Sequence, residues 1–324
     1  MRESIVIIEG MKKERIVFMG TPTFAATVLE ALLQVGYDIV AVVTQPDTYT
    51  GRKKILTAPP VKVTALKYGL PVLQPEKVRK EYEEILSYAP DLIITCAYGQ
   101  IIPKALLEAP AYHCINTHAS LLPKYRGGAP IQRAIINGET VTGITLMYMD
   151  EKMDEGDILF QQEVTIDPSD TNTTLFEKLS HVAADMLLQH LPDIFAGKIT
   201  PVPQDHSEAT YAWNLKKADE FISFRESAKA TSDHIRGLLD DPGAYGILNG
   251  ENYKLFSPSW DEEVRGEPGT FLGLINGKIA VAAEGGTVYL AAIQAPGKKC
   301  TDAKSFYNGR GRSLIGLLFA AEQE

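Results

Sequence analysis

The stretch YHCINTHASLLPKYRGGAPIQR, residues Tyr112–Arg133, combines a predicted buried strand with a group of polar residues, and the rest of the chain is organised around it. Its first five residues, Tyr112–Asn116, form a mostly apolar run that predicts a short buried strand. Polar side chains follow where that strand is expected to end. Ligands bind outside the carboxyl ends of the strands in an open parallel sheet, so we expect a functional site at this point.

Two of these polar residues, Asn116 and His118, are separated by one residue. If the strand continues through them, their side chains point to the same side. An amide can donate a hydrogen bond to an oxyanion while a neighbouring imidazole moves a proton, which suits a reaction through a tetrahedral intermediate. Both residues are also common in turns and caps, so the pair alone leaves a structural role open.

The chain before this stretch alternates between predicted strands and helices. Arg15–Gly20 predicts a buried strand and Phe24–Leu33 a helix, and two more buried strands are expected over Tyr37–Gln45 and Asp91–Tyr98. Strands that alternate with helices predict an α/β fold with a largely parallel sheet. No G-x-G-x-x-G follows the first strand, so we assign no dinucleotide site.

The pattern changes after residue 197. Residues 198–207 carry two prolines and lack helical periodicity, which indicates a linker. Short runs separated by Gly, Asn and Pro then predict a small β-barrel. These runs are Tyr253–Phe256, Gly269–Ile275, Lys278–Ala283 and Thr287–Gln294. We therefore divide the chain into a leader or tag (1–10), an α/β domain (11–197), a linker (198–214) and a smaller domain (215–324).

Length and composition are those of an ordinary soluble globular protein. The chain has 324 residues, of which 45% are hydrophobic and 23% charged. No apolar run reaches the roughly 18 residues that span a bilayer, so we expect no membrane partner. The patch Ile5–Ile8 is framed by glutamates and lacks a cleavage site, so it does not resemble a secretory signal.

The cysteines and histidines give no sign of a metal or disulfide framework. The three cysteines, Cys96, Cys114 and Cys300, show no C-x-x-C spacing, and the six histidines form no ligand cluster. This usage fits a reducing compartment, so we expect a cytoplasmic protein without a metal. We interpret Cys114, although it adjoins the predicted site, as a buried and unreactive thiol.

Cations are concentrated in two places in an acidic chain. The net charge is -9, so any contact with nucleic acid must come from local basic patches. The long segment 46–60 carries one patch, and the segment 298–312 carries the other. Both patches could simply be solvent-exposed surface without a function. If they instead bind an anion, the residues involved would be Arg52, Lys53, Lys54, Lys298 and Lys299.

The motif N-x-H-x-S-L-L-P followed by Y-R-G-x-x-P resembles the signature of the enzymes that use 10-formyltetrahydrofolate as a formyl donor. The family pattern also contains an aspartate in an [LM]-D-x-G segment, which corresponds here to Asp154 in the acidic turn 150–157. The resemblance therefore implies that Asn116, His118 and Asp154 are catalytic. It also implies a Rossmann-like N-terminal domain and an OB-like barrel in the C-terminal domain.

The same resemblance implies the co-substrate. The turn Ser120, Leu121, Leu122 and Pro123 is similar to the segment of the family that contacts folate. We therefore expect 10-formyltetrahydrofolate as the formyl donor and no metal.

The basic loop and the Gly20-Thr21-Pro22 opening favour the branch of the family that formylates methionyl initiator tRNA. Its expected partners are the aminoacylated tRNA and the folate donor, with the five cations named above on the tRNA and the protein acting as a monomer. Sugar-nucleotide formyltransferases and the hydrolase domain of formyltetrahydrofolate dehydrogenase carry a similar second domain and remain alternatives. A non-catalytic α/β binding protein is the alternative from another class.

Overall fold

The computed structural model describes residues 13–51 and 54–322. The predicted leader or tag, residues 1–10, lies outside them. In chain order, the strands and helices of the first half are β1 Arg15–Gly20, α1 Thr23–Val35, β2 Asp38–Val43, β3 Thr48–Thr50, β4 Ile55–Thr57, α2 Pro60–Lys67, β5 Val72–Leu73, α3 Glu83–Ser87, β6 Leu92–Cys96, α4 Lys104–Glu108, β7 Cys114–His118, α5 Pro130–Ile136, β8 Val141–Tyr148 and β9 Ile158–Thr165. They are followed by α6 Asn172–Phe195, α7 Ala228–Gly237, β10 Ala244–Leu248, β11 Glu251–Asp261, β12 Phe271–Ile275, β13 Lys278–Ala283, β14 Gly286–Gln294, β15 Thr301–Asp302 and α8 Ala303–Gly309.

A seven-stranded sheet with the order β5-β2-β1-β6-β7-β8-β9 forms the α/β part of the chain. The strands from β5 to β7 run parallel to one another, and β8 runs antiparallel to β7. Strands such as β1 and β6 are almost wholly buried, as the continuous apolar runs of a sheet covered on both faces require. The α/β fold predicted from the alternating pattern is confirmed.

A second sheet, in the order β10-β11-β14-β13-β12, forms the core of the C-terminal part. Its strands are antiparallel, and β15 adds to β14. The segment 316–320 bonds to both outer strands of this order: Phe271 N of β12 donates to Leu317 O (2.8 Å), and Ala320 N donates to Ile247 O of β10 (2.8 Å). The sheet is thus paired at both edges, while an OB-like topology stays a prediction.

Two compact units emerge from the contacts of the described residues. The first takes in the described parts of Met1–Pro123, Ile144–Gln162 and Leu179–Glu208. The second takes in the described parts of Lys124–Gly143, Glu163–Lys178 and Ala209–Glu324. Each unit has its own apolar core. The predicted domain division at residues 198–214 stays a prediction.

Two local features differ from the pattern expected along the chain. The segment 46–60 contains a two-stranded hairpin, β3–β4, in which Tyr49 pairs with Leu56. Residues Ala244–Leu248, which follow an Asp-Pro-Gly turn signal, form the strand β10. Among the described residues, no helix is long and apolar enough to cross a membrane.

Candidate active site

Strand β7 carries both residues of the predicted amide–imidazole pair. Asn116 lies between Thr95 of β6 and Met147 of β8, and His118 lies opposite Thr145 of β8. Because both positions belong to the same regular strand, the two side chains lie on one side of it. His118 is buried and Asn116 is half-buried, so the pair stands in a largely desolvated environment.

A buried hydroxyl orients the carboxamide of Asn116. Thr95 Oγ1 lies 2.9 Å from Asn116 Oδ1 and is also 3.3 Å from Ile115 O and 3.0 Å from Met149 Sδ. When the hydroxyl donates to Oδ1, the amide nitrogen Nδ2 is left on the opposite side of the group as a donor. The strand pairing thus presents an N–H donor beside His118.

Asp154 lies next to His118, as the motif implied. Its Oδ1 is 3.6 Å from His118 Nδ1, and the side chains are 16% and 7% exposed. This distance exceeds that of a hydrogen bond, so these two atoms are neighbours without a direct bond between them. The structure therefore brings Asp154 and His118 together although 36 positions separate their numbers.

The turn that carries Asp154 is held in an unusual backbone conformation. Asp154 has φ of 54°, and a Cβ on Gly156 would lie 2.0 Å from Tyr148 O. The buried Gln204 fixes this turn, since its Nε2 donates to Asp154 O (2.9 Å) and to Gly156 O (2.7 Å). The glycine of the D-x-G segment thus allows the close approach of strand β8.

Two side chains, those of Thr145 and Gln161, hydrogen-bond to the backbone of the predicted folate turn. Thr145 Oγ1 donates to Ser120 O (2.6 Å) and accepts from Leu122 N (3.1 Å). Gln161 Nε2 donates to Leu122 O (2.8 Å) and to Thr145 Oγ1 (2.9 Å). Ser120 and Leu122 are buried, whereas Leu121 and Pro123 are half-buried, so the last two present more of their side chains to the surface.

Sequence reasoning missed Thr95, Thr145, Gln161 and Gln204. Each contacts a predicted site residue through tertiary structure, at separations of up to 50 positions in the chain. Nothing in the local pattern around them marks them as site residues. Strand register, which the sequence alone did not provide, would have identified Thr95 and Thr145.

The predicted tRNA-contacting cations are only partly described. Arg52 and Lys53 lie outside the described residues, and Lys54 is exposed beside the β3–β4 hairpin. Lys298 and Lys299 are both exposed in the connection between β14 and β15. Their predicted role stays a prediction.

The cysteine beside the site is a buried thiol. Burial raises the pKa of Cys114 to about 12, and its Sγ donates to Leu106 O at 3.1 Å. It is therefore protonated at neutral pH and a poor nucleophile. In the described part of the chain, no group of three or more His, Cys, Asp or Glu residues is arranged to hold a metal ion.

A cavity of about 330 Å³ lies at the amino end of β7, beside His113 and Tyr148. Lys104, Leu107, Glu108, Met149, Asp150 and Glu151 complete its lining. None of the predicted site residues contributes to it. The chemistry is therefore better located at the carboxyl end of β7, where the polar groups converge.

Two family models match the chain. The model described as formyl transferase matches residues 14–191, and the model described as formyl transferase, C-terminal domain, matches residues 214–311. Together they account for most of the sequence.

Curated relatives are similar over nearly their whole length. A methionyl-tRNA formyltransferase from Geobacillus sp. (strain WCH70) is 48% identical over 318 residues, which are 96% of this chain and 99% of that relative. A methionyl-tRNA formyltransferase from Bacillus subtilis (strain 168) is 48% identical over 299 residues, covering 91% of this chain and 94% of that relative.

Solved structures share the fold at low identity. HypX from Aquifex aeolicus, in complex with tetrahydrofolic acid, matches 94% of this chain with a TM-score of 0.64 and 17% identity, and the chain spans 48% of HypX. WlaRD, a sugar 3N-formyl transferase crystallised in the presence of dTDP and 5-N-formyl-THF, matches 90% of this chain and 100% of its own with a TM-score of 0.65 and 17% identity. At such identity these matches bear on the fold alone.

Proposed function

This chain belongs to the methionyl-tRNA formyltransferase family, and we propose that it transfers the formyl group of 10-formyltetrahydrofolate to the α-amino group of methionyl initiator tRNA. The observation that carries the proposal is the 48% identity to a methionyl-tRNA formyltransferase over 99% of that relative's length. Asn116, His118 and Asp154 lie close together at one strand end, and this supports the proposal because formyl transfer needs such groups.

The reaction that we assign to this site begins with the free α-amino group of the methionyl ester. Its nitrogen attacks the formyl carbon on N10, the new C–N bond forms, and the carbonyl electrons move to oxygen. The Asn116 amide donates a hydrogen bond to the resulting oxyanion. When the intermediate collapses, the bond from carbon to N10 breaks and N10 receives a proton. The products are N-formylmethionyl-tRNA and tetrahydrofolate.

We assign the proton transfer to His118. Its imidazole takes the proton that the attacking nitrogen loses and delivers it to the departing N10. Asp154, at 3.6 Å from Nδ1, stabilises the charged form of the ring during this transfer and keeps the other ring nitrogen directed towards the reacting atoms. Contacts of this kind commonly tighten when substrates bind.

We place the folate donor against the turn Ser120–Pro123. The bonds from Thr145 and Gln161 hold this turn in one conformation, so it can orient a ligand without being ordered by it. Leu121 and Pro123, the two half-buried residues of the turn, supply apolar contacts for the flat ring system. Desolvation by the bound folate would also limit hydrolysis of the formyl group.

The division of the chain follows the same proposal. We assign residues 11–197 to the catalytic domain, 198–214 to a linker and 215–324 to an OB-like domain that contacts tRNA, with residues 1–10 as a leader or tag. The pairing of residues 316–320 with both outer strands supports the barrel, because a closed sheet has no free edge. We further propose that the protein acts as a monomer in the cytoplasm.

Formyl transfer to methionyl initiator tRNA is the test. The purified protein and 10-formyltetrahydrofolate are incubated with methionyl initiator tRNA, with an amino sugar nucleotide, or without acceptor, and both tetrahydrofolate and formylated product are measured. We expect product only with the charged tRNA. Formylation of the sugar nucleotide would instead assign that acceptor, and release of tetrahydrofolate without acceptor would assign a hydrolase.

A further inference from the structure

Two aromatic rings are stacked on the surface of the second unit. Tyr211 and Trp213 have ring centroids 5.2 Å apart and planes inclined by only 5°. Tyr211 is 48% exposed and Trp213 is 58% exposed. Aromatic rings usually contribute to stability by being buried, so this arrangement does little for the fold.

A short extended segment presents both rings on the same side. Tyr211 pairs with Arg126 in a parallel bridge, and Ala212 N donates to Arg126 O at 2.6 Å. Ala129 N in turn donates to Ala212 O at 3.0 Å. Ala212 is fully buried, so alternation directs its two neighbours outwards. The rings therefore stand on a fixed backbone.

The two glycines of the Y-R-G-G-A-P sequence permit this pairing. A Cβ on Gly127 would lie 2.7 Å from Ala212 O, and a Cβ on Gly128 would lie 1.9 Å from Asn214 Oδ1. Arg133 adds a further tie, because its Nε donates to Trp213 O at 3.3 Å. The absence of a side chain at these two glycines thus allows the chain to approach the segment that carries the rings.

The surroundings of the rings are polar. Thr210, Asn214, Lys216 and Lys217 are all exposed on the same short segment. The exposed neighbours of the rings on this segment are polar or charged, whereas the core of a protein–protein interface is depleted of charged residues. Lys217 is paired with Glu220, while Lys216 is the other exposed lysine of this segment. Exposed aromatic faces on a segment that also carries a lysine suit unpaired nucleotides, whose bases stack and whose phosphates attract cations.

We propose that Tyr211 and Trp213 form a stacking platform for the unpaired nucleobases at the 3′ end of the acceptor tRNA. The inference rests on the proposed function, because the acceptor in that reaction carries its methionine on a single-stranded CCA end. A base stacked on the outer ring would extend the existing stack. Stacking is tolerant of base identity, so the platform holds the end without reading its sequence.

Tryptophan fluorescence tests the platform without catalysis. The chain has two tryptophans, Trp213 and Trp260, so Trp260→Phe leaves Trp213 as the sole reporter. We expect the trinucleotide CCA to quench this variant saturably. The matched control is Trp213→Phe, in which Trp260 reports and should respond only weakly. Equal responses in the two variants, or none in the first, would overturn the proposal.

Steady-state kinetics give a second readout that a merely structural role would not reproduce. We expect Trp213→Ala to raise the KM for methionyl-tRNA about 5- to 100-fold with kcat little changed, because loss of one base–aromatic stack weakens binding to that extent. Trp213→Phe should recover part of the affinity, since it keeps a ring. An unchanged KM in Trp213→Ala would count against the platform even if wild type formylates tRNA. Quenching in a protein that formylates no tRNA would instead retain the platform and reject the proposed function.

Discussion

At the scale of single residues, the proposed chemistry depends on the carboxamide of Asn116. Truncation of this side chain removes the hydrogen bond that we assign to the oxyanion. We expect Asn116→Ala to lower kcat by on the order of 10²–10³, as the loss of one such donor does elsewhere, while the KM for tRNA changes little. Single-turnover formylation at saturating tRNA measures the effect. A variant with wild-type kcat would remove Asn116 from the mechanism.

Thr95 tests whether the orientation of that carboxamide matters. Thr95→Val keeps the shape of the buried side chain but removes the hydroxyl that lies 2.9 Å from Asn116 Oδ1. We expect a fall in kcat of about fivefold, which corresponds to about 1 kcal/mol for one hydrogen bond. Thr95→Ser, which restores the hydroxyl, should recover the rate. If the valine and serine variants behave alike, the hydroxyl does not position Asn116.

The sequence predicted some residues of the candidate site and missed others for a physical reason. Asn116 and His118 stand two positions apart, so strand alternation alone places them together. Asp154 was found only through its motif, because nothing in a run of acidic residues distinguishes it from Asp150 or Asp157. Residues such as Thr95 lie on a neighbouring strand, and their contacts follow from a register that local periodicity does not contain.

At the scale of elements, the turn between β8 and β9 is the part of the site under most constraint. Asp154 has a left-handed backbone conformation that is unfavourable for a residue with a side chain. The two hydrogen bonds from Gln204 hold the carbonyls on either side of Glu155 in that turn. The position of the carboxylate to which we assign a catalytic role thus depends on Gln204, which is 50 positions away in the chain.

Gln204→Met is the corresponding prediction. The change keeps the length of the buried side chain but leaves two carbonyl groups without their donor. We expect the free energy of unfolding to fall by about 1–3 kcal/mol and kcat to fall on the order of tenfold as Asp154 loses its position. Chemical denaturation and formylation kinetics measure the two effects.

Gln161→Met is the matched control for Gln204→Met. It also removes two hydrogen bonds: one to Leu122 O in the turn that we assign to folate, and one to Thr145 Oγ1, which itself bonds to that turn. Its main effect should be a several-fold higher KM for 10-formyltetrahydrofolate, with kcat within about twofold of wild type. If both variants alter the same kinetic parameter, the separate roles assigned to the two turns are wrong.

Other elements show where local signals mislead. Strand β10 begins directly after Asp241-Pro242-Gly243. These residues strongly favour a turn, so the sequence pattern predicted no strand at this point. Gly246 within β10 also lowers strand propensity, yet a Cβ there would lie 2.8 Å from Phe319 Cδ1. A distant contact, not local preference, therefore accounts for the glycine.

At the scale of the whole molecule, the segment expected to be a linker is hydrogen-bonded along its length. Val202 pairs with Ile158 within the first unit, and Tyr211 pairs with Arg126 within the second. The alternating prolines of this segment break helical periodicity, which indicates only that it is not a helix. Backbone pairing to remote segments has no local signature, so it could not be predicted from the residues of this segment alone.

Charge is the remaining property of the whole molecule that bears on tRNA. A chain with a net charge of -9 repels a polyanion unless local cations contact its phosphates. The double change Lys298→Gln with Lys299→Gln removes two exposed cations. The slope of log kcat/KM against log salt concentration should therefore become less negative by about 1–2. The double change Lys67→Gln with Lys104→Gln removes the same charge from lysines already paired with glutamates, and serves as the control. Equal slopes in the two variants would mean that Lys298 and Lys299 act only through net charge and make no contact with tRNA phosphates.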